Sequence, residues 1–229
     1  MNIGIQNENP LHAALKTWYA RPGDLLEVER DGYVIDIIQD GRLVEIQTAN
    51  FSAIKAKLFD LTTRYPLRLV YPIAQEKWIV KLPVGGAGPS RKRKSPKRGR
   101  AAEIFKEWVS FPDLLRHPNF SLEVLMIREE EIRRYVGQRR WRKQGWGIEE
   151  RRLLGVVEQY LFESPQDMLD LIPPGAPDPF TTLELATAMD QPRWLAQKAA
   201  YCLRKMDLIE QIGKRDRANL YTFKPPVDV

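Results

Sequence analysis

The stretch GYVIDIIQDGRLVEIQT, residues 32–48, contains two apolar runs that flank the dipeptide Asp40-Gly41. An Asp-Gly pair between two such runs is typical of a two-residue hairpin turn. We therefore predict a β-hairpin over these residues. Counting outward from the turn places Asp36 directly opposite Glu45 on the two strands.

The register of this hairpin separates two sets of side chains. One face would hold β-branched residues alone, which suits a hydrophobic core. Its members are Ile35, Ile37, Val44 and Ile46. The opposite face would hold Val34, Asp36, Ile38, Leu43, Glu45 and Gln47. A shift by one residue would mix the two sets, so the hydrophobic pattern supports this pairing.

Asp36 and Glu45 are the chemically informative pair of the hairpin. Directly opposite residues have Cβ atoms about 4.5–5.5 Å apart, and two carboxylates at that distance repel each other. A divalent cation relieves the repulsion, and Mg²⁺ is commonly held by one or two carboxylates together with waters and phosphate oxygens. The alternative is an exposed sheet face on which both side chains are solvated.

Helices and strands are indicated on both sides of the hairpin. Asn9 and Pro10 suit the start of a helix, and apolar residues recur at helical or alternating spacing in several segments. We expect helices over residues 10–20 and 50–63, and strands over residues 25–29, 33–38, 43–48, 67–73 and 77–81. Up to residue 73 the order is therefore α-β-β-β-α-β, which indicates an α/β fold.

This order, with Asp36 on one strand and Glu45-Ile46-Gln47 on the next, resembles the PD-(D/E)xK nuclease superfamily, which has the restriction-endonuclease-like fold. The resemblance implies that Asp36 and Glu45 bind Mg²⁺ or Mn²⁺, with the backbone carbonyl of Ile46 as a further ligand. It also implies metal-assisted hydrolysis of phosphodiester bonds. Gln47 occupies the position of the family's usual lysine, and a neutral amide there orients an attacking water without stabilising charge.

Two neighbouring elements offer residues that would complete such a site. Lys55 or Lys57, on the predicted helix after the hairpin, supplies the missing positive charge; the alternative is that both are solvated. Many members of the superfamily also carry a catalytic glutamate on the first helix. Glu8 is the nearest candidate for that position and His12 is a second, and both could equally be surface residues.

The net charge of +6 is concentrated in one short segment. The chain has 36 Lys and Arg residues against 30 Asp and Glu residues, and residues 91–100 (RKRKSPKRGR) hold seven of the basic ones. Because residues 84–100 are also rich in Gly, Pro and Ser, we expect an exposed, mobile loop inserted within the first domain. Its basic side chains are candidate contacts to DNA or RNA phosphates. They are Arg91, Lys92, Arg93, Lys94, Lys97, Arg98 and Arg100.

The composition excludes several classes of protein. The single cysteine, Cys202, allows no intramolecular disulfide and, with only two histidines, no zinc cluster. No run of about 18 apolar residues suggests a membrane span, and the N-terminus lacks the pattern of a secretory signal. We therefore expect a cytoplasmic protein with no membrane partner.

The C-terminal part shows a second pattern, which follows a basic, glycine-bounded linker at residues 137–147. We expect helices over residues 149–162, 180–189 and 192–206, followed by a strand pair over residues 208–223. The tight turn between the last two helices and the basic tip of the strand pair resemble a winged-helix domain. That resemblance implies DNA contacts by the second helix and by the wing. The candidates are Arg193, Gln197, Lys198, Lys214, Arg215 and Arg217; the alternative is a protein-interaction module.

These patterns divide the chain into a nuclease-like domain at residues 1–136 with the basic insertion at 84–100, the linker, and a winged-helix domain at 148–229. We predict a metal-dependent DNA endonuclease that the winged-helix domain targets to DNA. A non-catalytic DNA-binding or regulatory protein with a degenerate nuclease fold is one alternative, and an interaction module of a nucleic-acid-processing complex is another. Many related nucleases cut both strands as dimers, so a homodimer is compatible with this prediction, although the sequence indicates no dimer surface.

Overall fold

The computed structural model describes residues 9–86, 88–137 and 145–225. It has a mixed α/β fold with one large, mostly antiparallel sheet and several helices. The first elements are α1 (Pro10–Tyr19), β1 (Leu25–Arg30), β2 (Tyr33–Gln39), β3 (Arg42–Ile46), α2 (Lys55–Thr62) and β4 (Leu67–Lys81). The next are β5 (Arg91–Lys94), α3 (Phe105–Trp108), β6 (Phe120–Tyr135) and β7 (Trp146–Phe162). The last are β8 (Phe180–Thr181), α4 (Thr182–Ala188), α5 (Arg193–Lys205), β9 (Ile209–Arg215) and β10 (Ala218–Phe223).

The large sheet begins as an antiparallel meander and continues through a crossover connection to parallel strands. Among the described residues its strand order is β1-β2-β3-β4-β6-β7, with β5 paired to β4. The first three strands are antiparallel, and α2 then carries the chain across so that β4 runs parallel to β3. β6 is parallel to β4, and β7 is antiparallel to β6. The first six elements therefore confirm the predicted order α-β-β-β-α-β, but the two strands predicted at residues 67–73 and 77–81 are one continuous strand, β4.

One apolar cluster lies between α1 and the sheet. Leu11 and Leu15 of α1 pack in it with Ile37 and Val44 of the hairpin, and all four are fully buried. The helix begins where the sequence predicts, because the side chain of Asn9 accepts a hydrogen bond from the Leu11 N–H at 3.1 Å. Capping and burial together fix α1 against the hairpin.

A second and larger apolar cluster contains a group of aromatic rings. Phe51 stacks on Phe111 with 5.3 Å between ring centroids, and Trp108 meets Phe111 edge-on at 5.2 Å. Leu185 of α4 and Leu195 of α5 belong to the same cluster. The C-terminal helices thus share one continuous core with the large sheet.

The prediction of a helix over residues 149–162 is wrong, because this segment is most of the strand β7. β7 pairs with β6 along its whole length, with three irregularities in the register. Its apolar residues are irregularly spaced, and pairing with a neighbouring strand decides the structure over local propensity. Because β7 belongs to the large sheet, we move the proposed start of the C-terminal module from residue 148 to the segment after Phe162.

The prediction of a continuous loop over residues 84–100 is also wrong where β5 forms. β5 pairs antiparallel with the end of β4, and the Nζ of Lys94 lies 5.0 Å from the centre of the Trp78 ring. β3 pairs only with the first residues of β4, up to Ile46↔Val70. The later part of β4 therefore has an edge to which the basic strand can add. Residues 138–144 of the predicted linker lie outside the described residues.

The C-terminal module follows the predicted order of two helices and a strand pair. Thr181 caps α4 through a capping box with Glu184, as its sequence indicates. α5 buries an apolar stripe that includes Leu195, Ala199 and Cys202. β9 and β10 form a hairpin, to which β8 adds as a third strand. In the described part of the chain, no helix combines the length and apolar character needed to span a membrane.

Candidate functional site

The hairpin pairs as predicted near its turn and opens where the acidic residues lie. Ile37 is opposite Val44, and the two pairs nearer the turn also have the predicted register. Beyond them, Asp36 Oδ2 accepts a hydrogen bond from the backbone N–H of Ile46 at 2.7 Å. Ile35 packs in the opposite apolar cluster from Ile37. The prediction that these two isoleucines share one face is therefore wrong, because the regular ladder ends before Asp36.

Glu45 lies on β3 within reach of α2. Its side chain is 7% exposed, and Lys57 Nζ lies 2.5 Å from its Oε1. The angle of this contact does not suit a hydrogen bond. Oε1 therefore forms an ion pair with Lys57 but accepts no hydrogen bond from the described residues. Lys57 donates instead to the backbone carbonyl of Val34, at 2.6 Å. α2 therefore brings one lysine beside the acidic pair.

Of the two lysines considered from the sequence, Lys57 is the one at the hairpin. Lys55 is exposed, and its Nζ lies 5.7 Å from the centre of the Phe59 ring. Two positions along an α-helix differ in direction by about 200°, so only one of these lysines can face β3.

His12 approaches the site from α1. Its Nε2 lies 3.2 Å from Asp36 Oδ2, and the two side chains are 20% and 16% exposed. Glu8, the other candidate of the N-terminal segment, lies outside the described residues. The alternative of two solvated carboxylates on an exposed sheet face is wrong, because Asp36 and Glu45 are both largely buried.

The two carboxyl groups have opposite pKa shifts. Burial, followed by the charge of Asp36, raises the pKa of Glu45 to about 7, against the opposing effect of Lys57. Burial also acts to raise the pKa of Asp36, but His12, the N–H of Ile46 and Lys57 together lower it below its ordinary value. Near neutral pH, Asp36 is therefore ionised while Glu45 exchanges a proton. Such a separation of neighbouring carboxyl groups is common at functional sites.

Gln47 stabilises the turn after β3. Its Nε2 donates to the backbone carbonyls of Ala49 and Asn50, at 2.5 and 3.3 Å, and its backbone N–H donates to Val70 at 2.9 Å. The turn includes Asn50 in a left-handed conformation, with φ of 58°. The side-chain amide is thus engaged with the backbone of the turn that leads to α2.

The donors at the hairpin are compatible with a magnesium site of the two-carboxylate kind. In the part of the chain that the structure describes, no group of three or more His, Cys, Asp or Glu side chains is arranged to hold a metal ion. Mg²⁺ requires only one or two carboxylates and keeps several waters. The buried Oε1 of Glu45 accepts no hydrogen bond there and is an oxygen that a cation can bind. Asp36 and Glu45 therefore offer the kind of donors that Mg²⁺ takes, and binding at Glu45 requires that Lys57 leave it.

Most cations of the basic segment, residues 91–100, form ion pairs with carboxylates of the same chain. Lys92 pairs with Glu130, Lys94 and Arg98 pair with Glu76, Lys97 pairs with Glu103, and Arg100 pairs with Asp190. Among the described residues, Arg91 and Arg93 have no carboxylate within 4 Å. The candidate DNA contacts of this segment thus divide into five paired side chains and two unpaired ones.

The exposed face of α5 carries aromatic residues that sequence reasoning missed. Arg193 and Gln197 are exposed as expected, but Trp194 is also 50% exposed and Tyr201 is 40% exposed. Trp194, Gln197 and Tyr201 recur at helical spacing opposite the apolar stripe. This spacing was the signal that could have identified them.

The remaining candidates of the C-terminal module differ in their surroundings. Lys198 donates to the backbone carbonyl of Lys106 at 3.0 Å and so contacts the first part of the chain. Arg215 pairs with Glu184 at 2.7 Å. The other two wing residues, Lys214 and Arg217, are exposed.

A family model described as a domain of unknown function (DUF8091) matches residues 9–163. The matched region therefore ends one residue beyond β7 and covers the whole large sheet. A protein of Treponema pallidum (strain Nichols), titled "Uncharacterized protein", is 31% identical over 229 residues, which is 100% of this chain and 90% of the relative. No solved structure matches the chain.

Proposed function

We propose that this chain, which belongs to the DUF8091 family, is a metal-dependent nuclease of the PD-(D/E)xK type that hydrolyses phosphodiester bonds in DNA. The observation that carries the proposal is the pair of largely buried carboxyl groups, Asp36 and Glu45, where β2 and β3 separate. The surrounding α-β-β-β-α-β order supports it, because α1 and α2 each bring one further polar side chain to the pair.

Each side chain of the site has a distinct role in this proposal. His12 and the Ile46 N–H hold Asp36 ionised, and Glu45, with a pKa of about 7, would release its proton to water on binding a cation. These two carboxylates would hold Mg²⁺ or Mn²⁺ with the carbonyl of Ile46. When bound, the ion lowers the pKa of a coordinated water and neutralises charge on the scissile phosphate.

Lys57 supplies the positive charge that Gln47 lacks. In the structure it neutralises Glu45 and is anchored to the carbonyl of Val34. Once Glu45 has another cationic partner, the Lys57 ammonium is free to stabilise negative charge on the phosphate. Gln47 keeps its role in the turn and positions α2, which carries this lysine.

We further propose that the C-terminal module is a winged helix that binds the DNA substrate. α5 contains no acidic residue, and its exposed face offers Arg193, Trp194, Gln197 and Tyr201. A helix with such a face suits the major groove, and the tip of the β9–β10 hairpin suits the backbone phosphates. The match of the family model ends at residue 163, before this module begins, although α4 and α5 share the apolar core of the large sheet.

The test is a cleavage assay with supercoiled, linear, single-stranded and branched DNA in Mg²⁺ or Mn²⁺. We expect cleavage by the wild-type chain and none by Asp36→Asn or Glu45→Gln. Lys55→Met, on the exposed side of the same helix as Lys57, is the matched control and should retain activity. Cleavage that persists in both carboxyl variants would place the activity elsewhere.

A non-catalytic DNA-binding protein is the second candidate, and the position of Gln47 favours it. Its amide is bound to the carbonyls of Ala49 and Asn50 rather than directed at the acidic pair. DNA binding without cleavage of any of the four substrates, in either metal, would support this second function. It would also assign Asp36 and Glu45 a structural role.

A further inference from the structure

A cleft of about 450 Å³ lies between the long ends of β4, β6 and β7 and the segment that contains α3. Thr48 and Ala49 line one end of it, directly after Gln47 in the chain. None of the side chains that line the cleft belongs to the candidate site at Asp36 and Glu45. The volume of the cleft is that of a small-ligand pocket and is too small for a nucleic-acid duplex.

One wall of the cleft presents three cations that are held by two buried carboxylates. Lys77 lies 2.9 Å from Glu129 and 2.8 Å from Glu131, Arg151 lies 2.6 Å from Glu129, and the Nε of Arg133 lies 2.6 Å from Glu131. The carboxylates are at most 4% exposed, whereas the cations are 22–28% exposed.

This arrangement leaves positive charge facing the cleft. Three cations against two carboxylates give the group a net charge of +1, and each arginine has more donors than its carboxylate can use. The pKa of Lys77 is raised because the hydrogen bonds and charges of Glu131 and Glu129 outweigh its burial. The group is thus charged at neutral pH and fixed in position, as an anion site requires.

The rest of the lining combines apolar residues, hydroxyl groups and two ion pairs, Lys97–Glu103 and Lys106–Glu107. Ile73 and Ile79 are its apolar part, and both are 6% exposed. Tyr71 adds a phenol whose pKa is raised to about 12 by burial and then by the charge of Glu107. The hydroxyl therefore remains a donor. A ligand that fits such a cleft combines an anionic group with a larger, partly apolar body.

We propose that this cleft binds a phosphorylated nucleotide, with the phosphate against Arg133 and Arg151 and the nucleoside over Ile73 and Ile79. The nucleotide is either the terminal residue of a nucleic-acid strand or a free mononucleotide, because both present the same phosphate monoester. The inference depends on the cleft alone and holds whether or not Asp36 and Glu45 support cleavage.

Calorimetric titration with EDTA present tests this binding apart from any metal-dependent cleavage. The probes are adenosine monophosphate, adenosine, and a short oligonucleotide with either a 5′-phosphate or a 5′-hydroxyl. We expect adenosine monophosphate to bind at least about tenfold more tightly than adenosine, since hydrogen bonds to charged groups are the strong ones. Tighter binding of the phosphorylated oligonucleotide identifies a strand end as the ligand; equal or weaker binding identifies the free nucleotide.

Variants locate the binding in the cleft. Arg151→Gln should weaken binding of the phosphorylated probes about tenfold, and Glu129 keeps Lys77 as a partner in that variant. Tyr71→Phe removes only a hydroxyl and serves as a second variant if thermal unfolding shows that the first is destabilised. Arg64→Gln removes one arginine that lies outside the cleft and pairs with Asp31 and Asp60, and this variant should bind as the wild type does.

Three results would overturn the proposal. One is the failure of both phosphorylated probes to bind at about millimolar concentration. Another is equal affinity for adenosine and its monophosphate. The last is wild-type affinity in both Arg151→Gln and Tyr71→Phe. Asp36→Asn should bind the nucleotide normally even if it abolishes cleavage, so loss of one function is distinguishable from loss of the other.

Discussion

Glu45 should make the stability of the protein depend on pH in the neutral range. Its pKa is about 7 in the folded protein, against an ordinary value of 4.5. The folded state therefore holds this proton more tightly than the unfolded chain does. The resulting stabilisation is fully present below the unfolded pKa and is lost as the pH rises through the folded pKa. The difference between the two values corresponds to about 3 kcal/mol.

Glu45→Gln removes this titration while keeping the shape of the side chain. For the wild type we expect the free energy of unfolding to fall by about 2–3 kcal/mol between pH 5 and pH 8. The variant should lack this fall and so gain stability relative to the wild type as the pH rises. Asp36 acts in a separate window, because its lowered pKa gives stability that is lost only as the pH falls into the acid range.

Urea unfolding followed by circular dichroism, at several pH values without divalent cations, measures this difference. Glu163→Gln is the matched control, because the Glu163 side chain is 63% exposed and lies 3.7 Å from Arg68. This variant also loses one carboxylate, and its free energy of unfolding should depend on pH in the same way as that of the wild type. Parallel curves for Glu45→Gln and the wild type would refute the assignment of a buried, proton-exchanging carboxyl group to Glu45.

Three further predictions concern the metal, the lysines and the basic strand. At pH 8, Mg²⁺ at ten times its dissociation constant should stabilise the wild type by about 1.4 kcal/mol, and thermal unfolding of Asp36→Asn should show no such gain. Lys57→Met should lower the cleavage rate at least tenfold, in steady-state assays in which Lys55→Met stays within about twofold of the wild type. Replacing Arg91 and Arg93 with glutamine should reduce the slope of log affinity for DNA against log salt by about 2, as measured by fluorescence anisotropy. The same change at the two ion-paired lysines of that strand should reduce it less.

The hairpin and the first helix could be predicted because the decisive information is local. The Asp40-Gly41 turn and the alternating apolar residues fix the pairing of Ile37 with Val44. The cap at Asn9 fixes the start of α1. Both elements depend on residues within a few positions of each other, so the sequence is sufficient to specify them.

The strands β5 and β7 could not be predicted because neighbouring strands decide them. The four basic residues of β5 have no apolar alternation, and they form a strand because β4 extends beyond β3. The apolar residues of β7 are irregularly spaced, and its pairing with β6 selects the strand. Propensity and periodicity carry no information on which edge of a sheet is available.

The candidate site was predictable in its residue types but not in its contacts. The hairpin register identified Asp36 and Glu45, but the pattern could not choose between Lys55 and Lys57, which are two residues apart on one helix. That choice depends on which side of α2 packs on the sheet, where Leu58 is buried. The ion pairs of the basic segment could not be predicted either, since its carboxylate partners include Glu130 and Asp190, which are far along the chain.

A cation that binds Glu45 competes with two partners of this carboxyl group, its proton and the ammonium group of Lys57. Below about pH 7 a cation must displace a proton from Glu45, so its apparent affinity should fall by up to about tenfold for each further pH unit. Above that pH the competitor is Lys57, whose Nζ lies 2.5 Å from the same carboxylate. Because Lys57 also lowers the pKa of Glu45, Lys57→Met should strengthen Mg²⁺ binding at a pH high enough to ionise Glu45 in the variant, while it weakens cleavage. A residue that only stabilised the fold would lower both quantities together, so titration of Mg²⁺ against this one variant separates the two roles of the lysine.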